Sequence, residues 1–306
     1  MKVNGVEIED TFCEAFPMYF GRVLITAVTR RWALVAALEA KGLGTSSTMK
    51  PKAPGEAGME CELKPTETPD GRPGQILLIG EPTVEELEYY LIARIRKGVV
   101  PVPTTATFDA MPKDMIIDYV KVEGTPIQLF GDGYEELVNI YGRDVYKIPR
   151  MDGFYYIDTK FGITKGIGGG HFFILAESQA AALLAAEVAV NAIEGLPFVF
   201  VVGAYGGGPA ASGTKVGGKN YKKVIATTNH LYCPCIANRV PDTRIPPDVQ
   251  CVYEICIDGL TLDALKSAIK EGIKAAVRVH GVKKITAANY GGKLGEIQIR
   301  LHEIFK

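Results

Sequence analysis

The sequence lacks the features that mark several classes of protein. Its charge is nearly balanced, because 34 Lys and Arg residues face 35 Asp and Glu residues and the formal net charge is −1. It has no basic tail or stripe, which argues against a nucleic-acid partner. No apolar run approaches the ~20 residues that span a membrane, and the polar N-terminus lacks the pattern of a signal peptide. We therefore expect a cytoplasmic globular protein.

The sequence also lacks the ligand spacing of a structural metal site. Its six cysteines are scattered without a C-x2-C pair, and Cys233 and Cys235 are separated by a single proline. The four histidines are scattered as well. Structural zinc sites use paired ligands at characteristic spacings, so we expect reduced thiols and no bound metal.

What the sequence does contain is a strand–helix–strand pattern that occurs four times. The four copies cover residues 22–49, 75–102, 171–202 and 251–288, and the strand that ends the second copy is predicted at Val99–Val102. Three hydroxyl residues precede the predicted helices as N-caps, namely Thr83, Ser178 and Thr261. Between the two pairs, residues 109–158 alternate short β-like runs with Gly and Asp turns, which predicts an antiparallel meander.

A pair of split βαβ units is typical of the ferredoxin-like fold. The sequence therefore predicts an α+β protein with two ferredoxin-like lobes related by internal duplication. Each lobe is expected to have an antiparallel sheet with helices packed on one face. We place the N-terminal lobe, with the meander as an insertion, in residues 1–150 and the C-terminal lobe in residues 151–306.

The stretch from Cys251 to Lys293 carries the most unusual polar residues. Glu254 lies within an apolar predicted strand, Asp258-Gly259 is a turn signal, and a polar, glycine-rich loop begins at Asn289. A buried carboxylate is suited to acid–base chemistry, since burial favours its neutral form. Strict alternation would instead place Glu254 on the solvent face of the strand.

Two further glycine-rich segments have two interpretations each. Gly166–His171 precedes a predicted strand, and Gly203–Gly218 follows one, but neither has the order of residues found in a phosphate-binding loop. Such loops present backbone N–H groups to a ligand, or they serve only as turns. Ser212 and Lys215 are suited to holding an anionic group, or they belong to a solvated loop. His171 is an isolated histidine beside a predicted strand, which favours a structural role.

Several motifs follow one another over nearly the whole chain. They read MKVNGVEIEDTFCEAF, TETPDGRPG, PTTATF, GITKGIGGGHFFILAE, ASGTKVG, TTN…CP, VYEICIDGL and ITAANYGGKLG. In this order they resemble the formylmethanofuran:tetrahydromethanopterin formyltransferase family of archaeal one-carbon metabolism and methanogenesis. The related subunit of bacterial formyltransferase/hydrolase complexes is similar too.

This resemblance implies an enzyme that moves a formyl group from formylmethanofuran to N5 of tetrahydromethanopterin through a tetrahedral intermediate. It also implies no metal or prosthetic group, with methanofuran and tetrahydromethanopterin as coenzyme substrates, and a homo-oligomer, either a dimer or a tetramer. The glutamate of the family's YEI motif corresponds to Glu254 and is expected to relay the proton between the two amines. The candidate substrate-binding residues are Thr104, Thr105, Gly168, Gly169, Gly170, Ser212, Lys215, Asn289, Tyr290, Gly291 and Lys293.

The sequence departs from the family pattern in four places. His171 stands where the family usually has Asn, and Gly203–Pro209 replaces a Pro-Phe-Pro-Gly-Gly loop. Lys50-Pro51 stands in place of a Cys-Pro element, and Lys97-Gly98 in place of Gln-Cys. These departures leave a second hypothesis, a non-catalytic paralogue that acts as a pterin-binding or scaffold subunit of a formyl-processing complex.

Overall fold

The fold was determined as a computed structural model, which describes residues 1–42, 44, 55–203, 207–212 and 229–306. The Lys50 region, Lys215 and most of the Gly203–Gly218 segment lie outside the described residues. The described helices are α1 (Arg30–Lys41), α2 (Val84–Arg94), α3 (Gln179–Ile193) and α4 (Leu262–Ala276). The described strands are β1 (Lys2–Val3), β2 (Val6–Ile8), β3 (Phe12–Thr26), β4 (Glu56–Leu63), β5 (Gly74–Glu81), β6 (Ala106–Asp109), β7 (Asp118–Lys121), β8 (Glu136–Ile140), β9 (Arg143–Arg150), β10 (Gly153–Asp158), β11 (Lys160–Ala176), β12 (Val199–Val202), β13 (Cys251–Gly259), β14 (Val282–Thr286) and β15 (Ile297–Arg300).

The chain divides into two compact units. The described residues of the first unit lie within Met1–Pro17 and Ile167–Lys306, and those of the second lie within Met18–Thr45 and Pro54–Gly166. The long strands β3 and β11 contribute residues to both units. Among the described residues, no helix is long and apolar enough to cross a membrane.

Each unit contains the same four-stranded antiparallel sheet. In the second unit the strand order is β4–β5–β3–β6, and in the first it is β12–β13–β11–β14. Both orders are those of a split βαβ pair, so the predicted α+β fold with two ferredoxin-like lobes and an internal duplication is confirmed. The predicted meander is confirmed as well, since β9 pairs antiparallel with both β8 and β10.

Helix starts follow the predicted capping residues. The side chains of Thr83, Ser178 and Thr261 each accept a hydrogen bond from the backbone N–H three residues later. Thr29 caps α1 in the same way, through the N–H of Trp32. A hydroxyl at this position satisfies one of the N–H groups that the first helical turn leaves without a partner.

The hydrophobic core of each unit lies between its helices and its sheet. In the first unit, Phe172 and Ile174 of β11 and Ile255 of β13 pack with Ala186 of α3 and Ile269 of α4. Phe173 and Leu175 point to the opposite face of the sheet, where a second cluster includes Tyr232 and Val249. This alternation follows from the two-residue period of a strand, and it leaves the face away from the helices for the site.

Three predictions of local structure are wrong. The strand predicted at Val99–Val102 is a turn of π-helix at Ile95–Val99, and the true strand begins at Ala106. The hydroxyl of Thr105 donates to the carbonyl oxygens of Val99 at 3.0 Å and Val102 at 2.9 Å, which satisfies groups that a strand neighbour would otherwise bond. The proline that follows Val102 lacks the N–H that a sheet requires.

The second error concerns glycine. Gly166–Gly170 was predicted as a loop before a strand, but it lies inside β11, with a bulge between Ile167 and Gly170. The predicted Asp258-Gly259 turn likewise lies inside β13. The two features explain each other, because the buried Asp258 Oδ1 accepts the Gly169 N–H at 2.9 Å. Gly169 has φ +85°, a conformation that glycine adopts without strain.

Candidate functional site

Glu254 lies on the face of β13 that points away from the helices. It pairs with Phe173 of β11, and on its other side its N–H and C=O form a two-way bridge with Ala210, at 3.0 and 2.8 Å. Its neighbour Ile255 is fully buried against the helices, whereas Glu254 is only partly buried. The alternation of the strand therefore separates Glu254 from the core, but the face it occupies is covered by other residues of the first unit.

That face contains a cavity of about 250 Å³. Glu254 and Phe173 form part of its wall, and the connector between β12 and β13 covers it. The lining is mixed, with aromatic, amide, thiol and carboxylate groups. The lining residues are Phe173, Gln179, Ala211, Ser212, Asn229, Tyr232, Cys233, Pro234, Cys235, Gln250, Cys251, Val252, Tyr253 and Glu254.

Ser212 is the predicted residue that contacts Glu254 directly. Its hydroxyl donates a hydrogen bond to Glu254 Oε2. Such a bond to a carboxylate fixes the orientation of its two oxygens and is stronger than a bond between neutral groups. The structure thus brings Glu254 and Ser212 together in one cavity, as a carboxylate with a positioned neighbour.

The glycines of β11 serve the packing of the strand. A Cβ atom at Gly169 would lie 2.7 Å from Phe16 Cε1, and one at Gly170 would lie 2.7 Å from Leu265 Cδ1. Any other residue at these two positions would therefore push a neighbour aside. Gly168, Gly169 and Gly170 are not among the residues that line the Glu254 cavity, so their substrate-binding role stays a prediction.

The segment after β14 forms a tight loop with its own anchors. Asn289 Nδ2 donates to Thr11 Oγ1 at 3.0 Å, and the Tyr290 N–H donates to Glu14 Oε1 at 2.9 Å. Gly291 adopts φ +68°, and Lys293 is exposed. These four predicted residues stay together in the first unit, although none of them is part of the cavity lining.

Thr104 and Thr105 belong to the second unit. Thr104 Oγ1 accepts the N–H of Val28 at 3.2 Å, and its own N–H donates to Asp152 Oδ2 at 2.6 Å. The buried Thr105 hydroxyl also accepts from Arg150 Nη1 at 2.9 Å. Both hydroxyl groups thus have partners within this unit. The predicted role of the two residues in substrate binding stays a prediction.

His171 bridges two backbone carbonyls. Its Nδ1 lies 3.1 Å from Gly169 O, its Nε2 lies 3.1 Å from Ala288 O, and its ring packs on Phe173 at 5.6 Å between centroids. Through Phe173 it supports the wall of the Glu254 cavity. The structural role that its isolation in the sequence favours therefore agrees with these contacts.

Sequence reasoning missed the connector side of the cavity. Asn229, Tyr232, Cys233 and Cys235 all line it, and only the TTN…CP motif pointed to this part of the chain. Cys251 lines the cavity from the start of β13. Burial raises the pKa of the Cys251 thiol, and the neighbouring Cys235 adds to this effect. Within the described ranges, no three His, Cys, Asp or Glu side chains are arranged to hold a metal ion.

Comparisons with known proteins agree over the whole chain. Residues 1–150 match the profile of the formylmethanofuran-tetrahydromethanopterin formyltransferase family, and residues 153–304 match that of its proximal lobe. A formylmethanofuran–tetrahydromethanopterin formyltransferase from Methanocaldococcus jannaschii is 53% identical, with 100% of each chain covered. One from Archaeoglobus fulgidus is 47% identical, also with 100% of each chain covered.

Solved structures give the same result. The formyltransferase from Methanosarcina barkeri aligns with a TM-score of 0.92 and 49% identity over 100% of both chains. A chain of the formyltransferase/hydrolase complex from Methylorubrum extorquens, solved with methylofuran, aligns with a TM-score of 0.89 and 32% identity, covering 100% of this chain and 99% of that one. These matches, together with the duplicated ferredoxin-like lobes and the YEI glutamate in its cavity, show that the chain belongs to the formylmethanofuran–tetrahydromethanopterin formyltransferase family.

Proposed function

We propose that this protein is an N-formyltransferase that moves a formyl group from formylmethanofuran to N5 of tetrahydromethanopterin. The observation that carries the proposal is the position of Glu254, whose carboxylate lines the 250 Å³ cavity and is held by the Ser212 hydroxyl. Relatives of this name, from methanogens among others, share about half of the sequence from end to end. The methanofuran and tetrahydromethanopterin coenzymes are its substrates.

In the proposed reaction, N5 of the pterin attacks the formyl carbon of formylmethanofuran. A new C–N bond forms, and the carbonyl oxygen becomes the oxyanion of a tetrahedral intermediate. The Glu254 carboxylate accepts the proton from N5 and delivers it to the methanofuran nitrogen. The old C–N bond then breaks, which releases the methanofuran amine and N5-formyl-tetrahydromethanopterin. No proton, electron or other reactant is left over, so one carboxylate is sufficient for the chemistry.

The size of the cavity supports a site for the reacting ends of the coenzymes. Pockets that enclose a whole drug-sized ligand measure roughly 300–1,000 Å³, and this one is smaller, at about 250 Å³. The catalytic gain is therefore expected from holding two reactive groups together. The Asn229 amide lines the same cavity and is suited to donate to the oxyanion.

The remaining predicted residues have supporting roles in this proposal. Ser212 orients Glu254, and the loop that contains Asn289, Tyr290, Gly291 and Lys293 provides a second wall for the substrates. The roles of Thr104, Thr105, Gly168, Gly169, Gly170 and Lys215 in substrate binding stay predictions.

We also propose a cytoplasmic homo-oligomer of two-lobed subunits, with the lobes in residues 1–150 and 151–306 as the sequence predicts. The compact units differ from these bounds at residues 1–17 and 151–166. Light scattering during size-exclusion chromatography tests the oligomer, because a mass near that of one 33.1 kDa chain would contradict it.

The enzyme proposal is tested by a formyl-transfer assay with the two purified coenzymes. Glu254→Gln keeps the shape of the side chain but removes its acid–base function, so we expect kcat to fall by roughly 10²–10⁴-fold. Glu187→Gln, an exposed residue of α3 in the same unit, serves as the matched control and should keep kcat within about twofold.

Two results would contradict the proposal at different levels. Unchanged turnover in Glu254→Gln would remove the role of this carboxylate. Binding of the pterin by the wild-type protein without any turnover would instead favour the non-catalytic subunit.

A further inference from the structure

A buried carboxylate on β3 organises the loop that follows β14. Glu14 is only 2% exposed, and its two oxygens accept hydrogen bonds from four backbone N–H groups. Oε1 accepts from Tyr290 at 2.9 Å and from Gly292, and Oε2 accepts from Leu294 at 3.0 Å and from Gly295 at 3.3 Å. All four donors lie in residues 289–295, which we call the glycine loop.

The glycine loop is curled around this carboxylate. Gly291 and Gly292 have φ +68° and +79°, left-handed conformations that bend the loop so that several of its N–H groups point to one side. Gly295 lies so close to β3 that a Cβ atom there would be 2.5 Å from the carbonyl oxygen of Ala15. The bend is thus an anion cradle of the kind that often binds a ligand, and here a side chain of the same unit fills it.

A carboxylate is the group that this cradle requires. An ionised carboxylate accepts hydrogen bonds through two oxygens and about four lone-pair positions, which matches the four donors. An amide of the same shape would present its own N–H groups to two of the loop N–H groups. Replacing Glu14 by Gln therefore removes some of the hydrogen bonds that the cradle donates, without changing the volume of the side chain.

The glycine loop is connected to the wall of the Glu254 cavity. The chain reaches the loop through Ala287 and Ala288, and the Tyr232 hydroxyl donates to the Ala287 carbonyl at 3.4 Å. Ala288 belongs to the same buried cluster as Phe173 and Tyr232, both of which line the cavity. A shift of the loop would therefore change the position of two residues of the cavity wall.

We propose that Glu14 is a positioning residue for formyl transfer. It fixes the glycine loop, and through the loop it sets the wall formed by Phe173 and Tyr232 and the place of the Tyr290 and Lys293 side chains. This inference rests on the proposed function, in which the loop forms the second wall for the substrates. Glu14 is buried and its two oxygens are bonded to the loop amides, so its effect is expected in substrate binding rather than in the chemical step.

The test measures amide hydrogen exchange and steady-state kinetics on the same full-length variants. In Glu14→Gln we expect the amides of the glycine loop to exchange about tenfold faster or more, because hydrogen bonds to a charged acceptor are lost. We expect KM for at least one coenzyme to rise about tenfold, while kcat at saturation stays within about threefold. Glu14→Asp, which keeps the charge but shortens the side chain, should shift both quantities in the same direction by less, and it replaces Glu14→Gln if that variant does not fold.

Glu60→Gln is the control, because Glu60 is also a buried strand glutamate, 3% exposed, but lies in the second unit, where its carboxylate pairs with Arg22. It should leave loop exchange and both KM values unchanged. The proposal is overturned if loop exchange is unchanged in the Glu14 variants, if it rises equally in Glu60→Gln, or if it rises while both KM values stay the same. Glu254→Gln separates the two proposals, since it should lower kcat without raising KM. If Glu254→Gln retains full turnover while Glu14→Gln raises KM, only the acid–base role of Glu254 fails.

Discussion

The third strand of the ferredoxin-like sheet is sealed in one unit and open in the other. In the second unit this strand is β5, and every residue from Gly74 to Glu81 is buried. In the first unit it is β13, whose first four residues, from Cys251 to Glu254, are only partly buried. The same topological position thus serves stability in one copy and borders the candidate site in the other.

The difference lies in the neighbouring edge strand. β4 pairs with β5 from Gly74 to Gly80, whereas β12 is short and reaches only Cys256–Gly259 of β13. Beyond that point, within the described part of the chain, Ala210 is the residue that pairs with this side of β13, opposite Glu254. The short edge strand leaves room for a cavity at the residue that carries the carboxylate. A duplicated fold can therefore gain a site by shortening one strand of one copy.

The face away from the helices differs in the same way. On β5 this face carries Ile76, which is 1% exposed and packs with Leu24 and Phe108. On β13 it carries Glu254, which faces the cavity. An exchange of these side-chain types between the two strands tests the comparison directly.

The largest effect is expected from a carboxylate placed in the sealed strand. Ile76→Glu buries a charge without a partner, so we expect the free energy of unfolding to fall by about 3–5 kcal/mol. In the open strand, Glu254→Leu should change it by about 1 kcal/mol or less. Urea denaturation of both variants measures the difference. Equal stability of Ile76→Glu and the wild type would show that β5 is not sealed.

A smaller effect is expected in the reactivity of the cysteines in the two units. Burial raises the pKa of Cys61 on β4 to about 11, from an ordinary value of 9.0, and Glu60 adds to this effect. The thiolate is the reactive form, so its fraction at neutral pH should be about 100-fold lower than for an ordinary thiol. We expect iodoacetamide to label Cys251 and Cys235 before Cys61, as followed by mass spectrometry from pH 7 to pH 9.

The same experiment becomes sharper when both coenzymes are added. Cys235 and Cys251 line the cavity, so bound substrates should protect them, whereas Cys61 lies in the other unit and should be unaffected. Cys251→Ser assigns the labelled peptide. Rapid labelling of Cys61 would show that the surroundings of β5 are not sealed, and no protection at Cys251 would show that the substrates do not bind beside β13.

The smallest effect is expected from the neighbour of Glu254. Ser212→Ala removes the hydroxyl that donates to the carboxylate, and a hydrogen bond to a charged group contributes about 1.5–3 kcal/mol to stability. Only the part of this energy that is lost in the transition state lowers kcat, so we expect kcat to fall by roughly tenfold, below the loss in Glu254→Gln. Ser267→Ala, at an exposed position of α4, should leave kcat unchanged. A Ser212→Ala enzyme with wild-type kcat would mean that Glu254 needs no such support.

Local signals in the sequence were sufficient for much of the fold. Thr83, Ser178 and Thr261 mark helix starts because capping depends on residues three positions apart. The duplication was visible because each βαβ pattern is local. The sequence predicts a loop at Gly166–Gly170, where the structure has a strand, because the conformation there is set by Asp258, which is distant in the sequence. The glycines there look like a loop until the partner strand is known.

The candidate site was predictable only in part. Glu254 was identified through the motif around it, since its alternation alone also allows a solvent-facing residue. Tyr232 and Cys235 reach the cavity through long-range folding of the connector, which no local pattern reports. Glu14 gave no signal either, because its four partners are more than 270 positions away.

That separation has a consequence for how the protein is made. The Glu14 carboxylate leaves the ribosome early, but the Tyr290 amide follows 276 residues later, which at 5–20 residues per second is a delay of roughly 14–55 s. Until then the carboxylate has none of the four loop amides to bond, so its strand cannot be buried at low cost. The first unit should therefore close only after residues 289–295 have been synthesised.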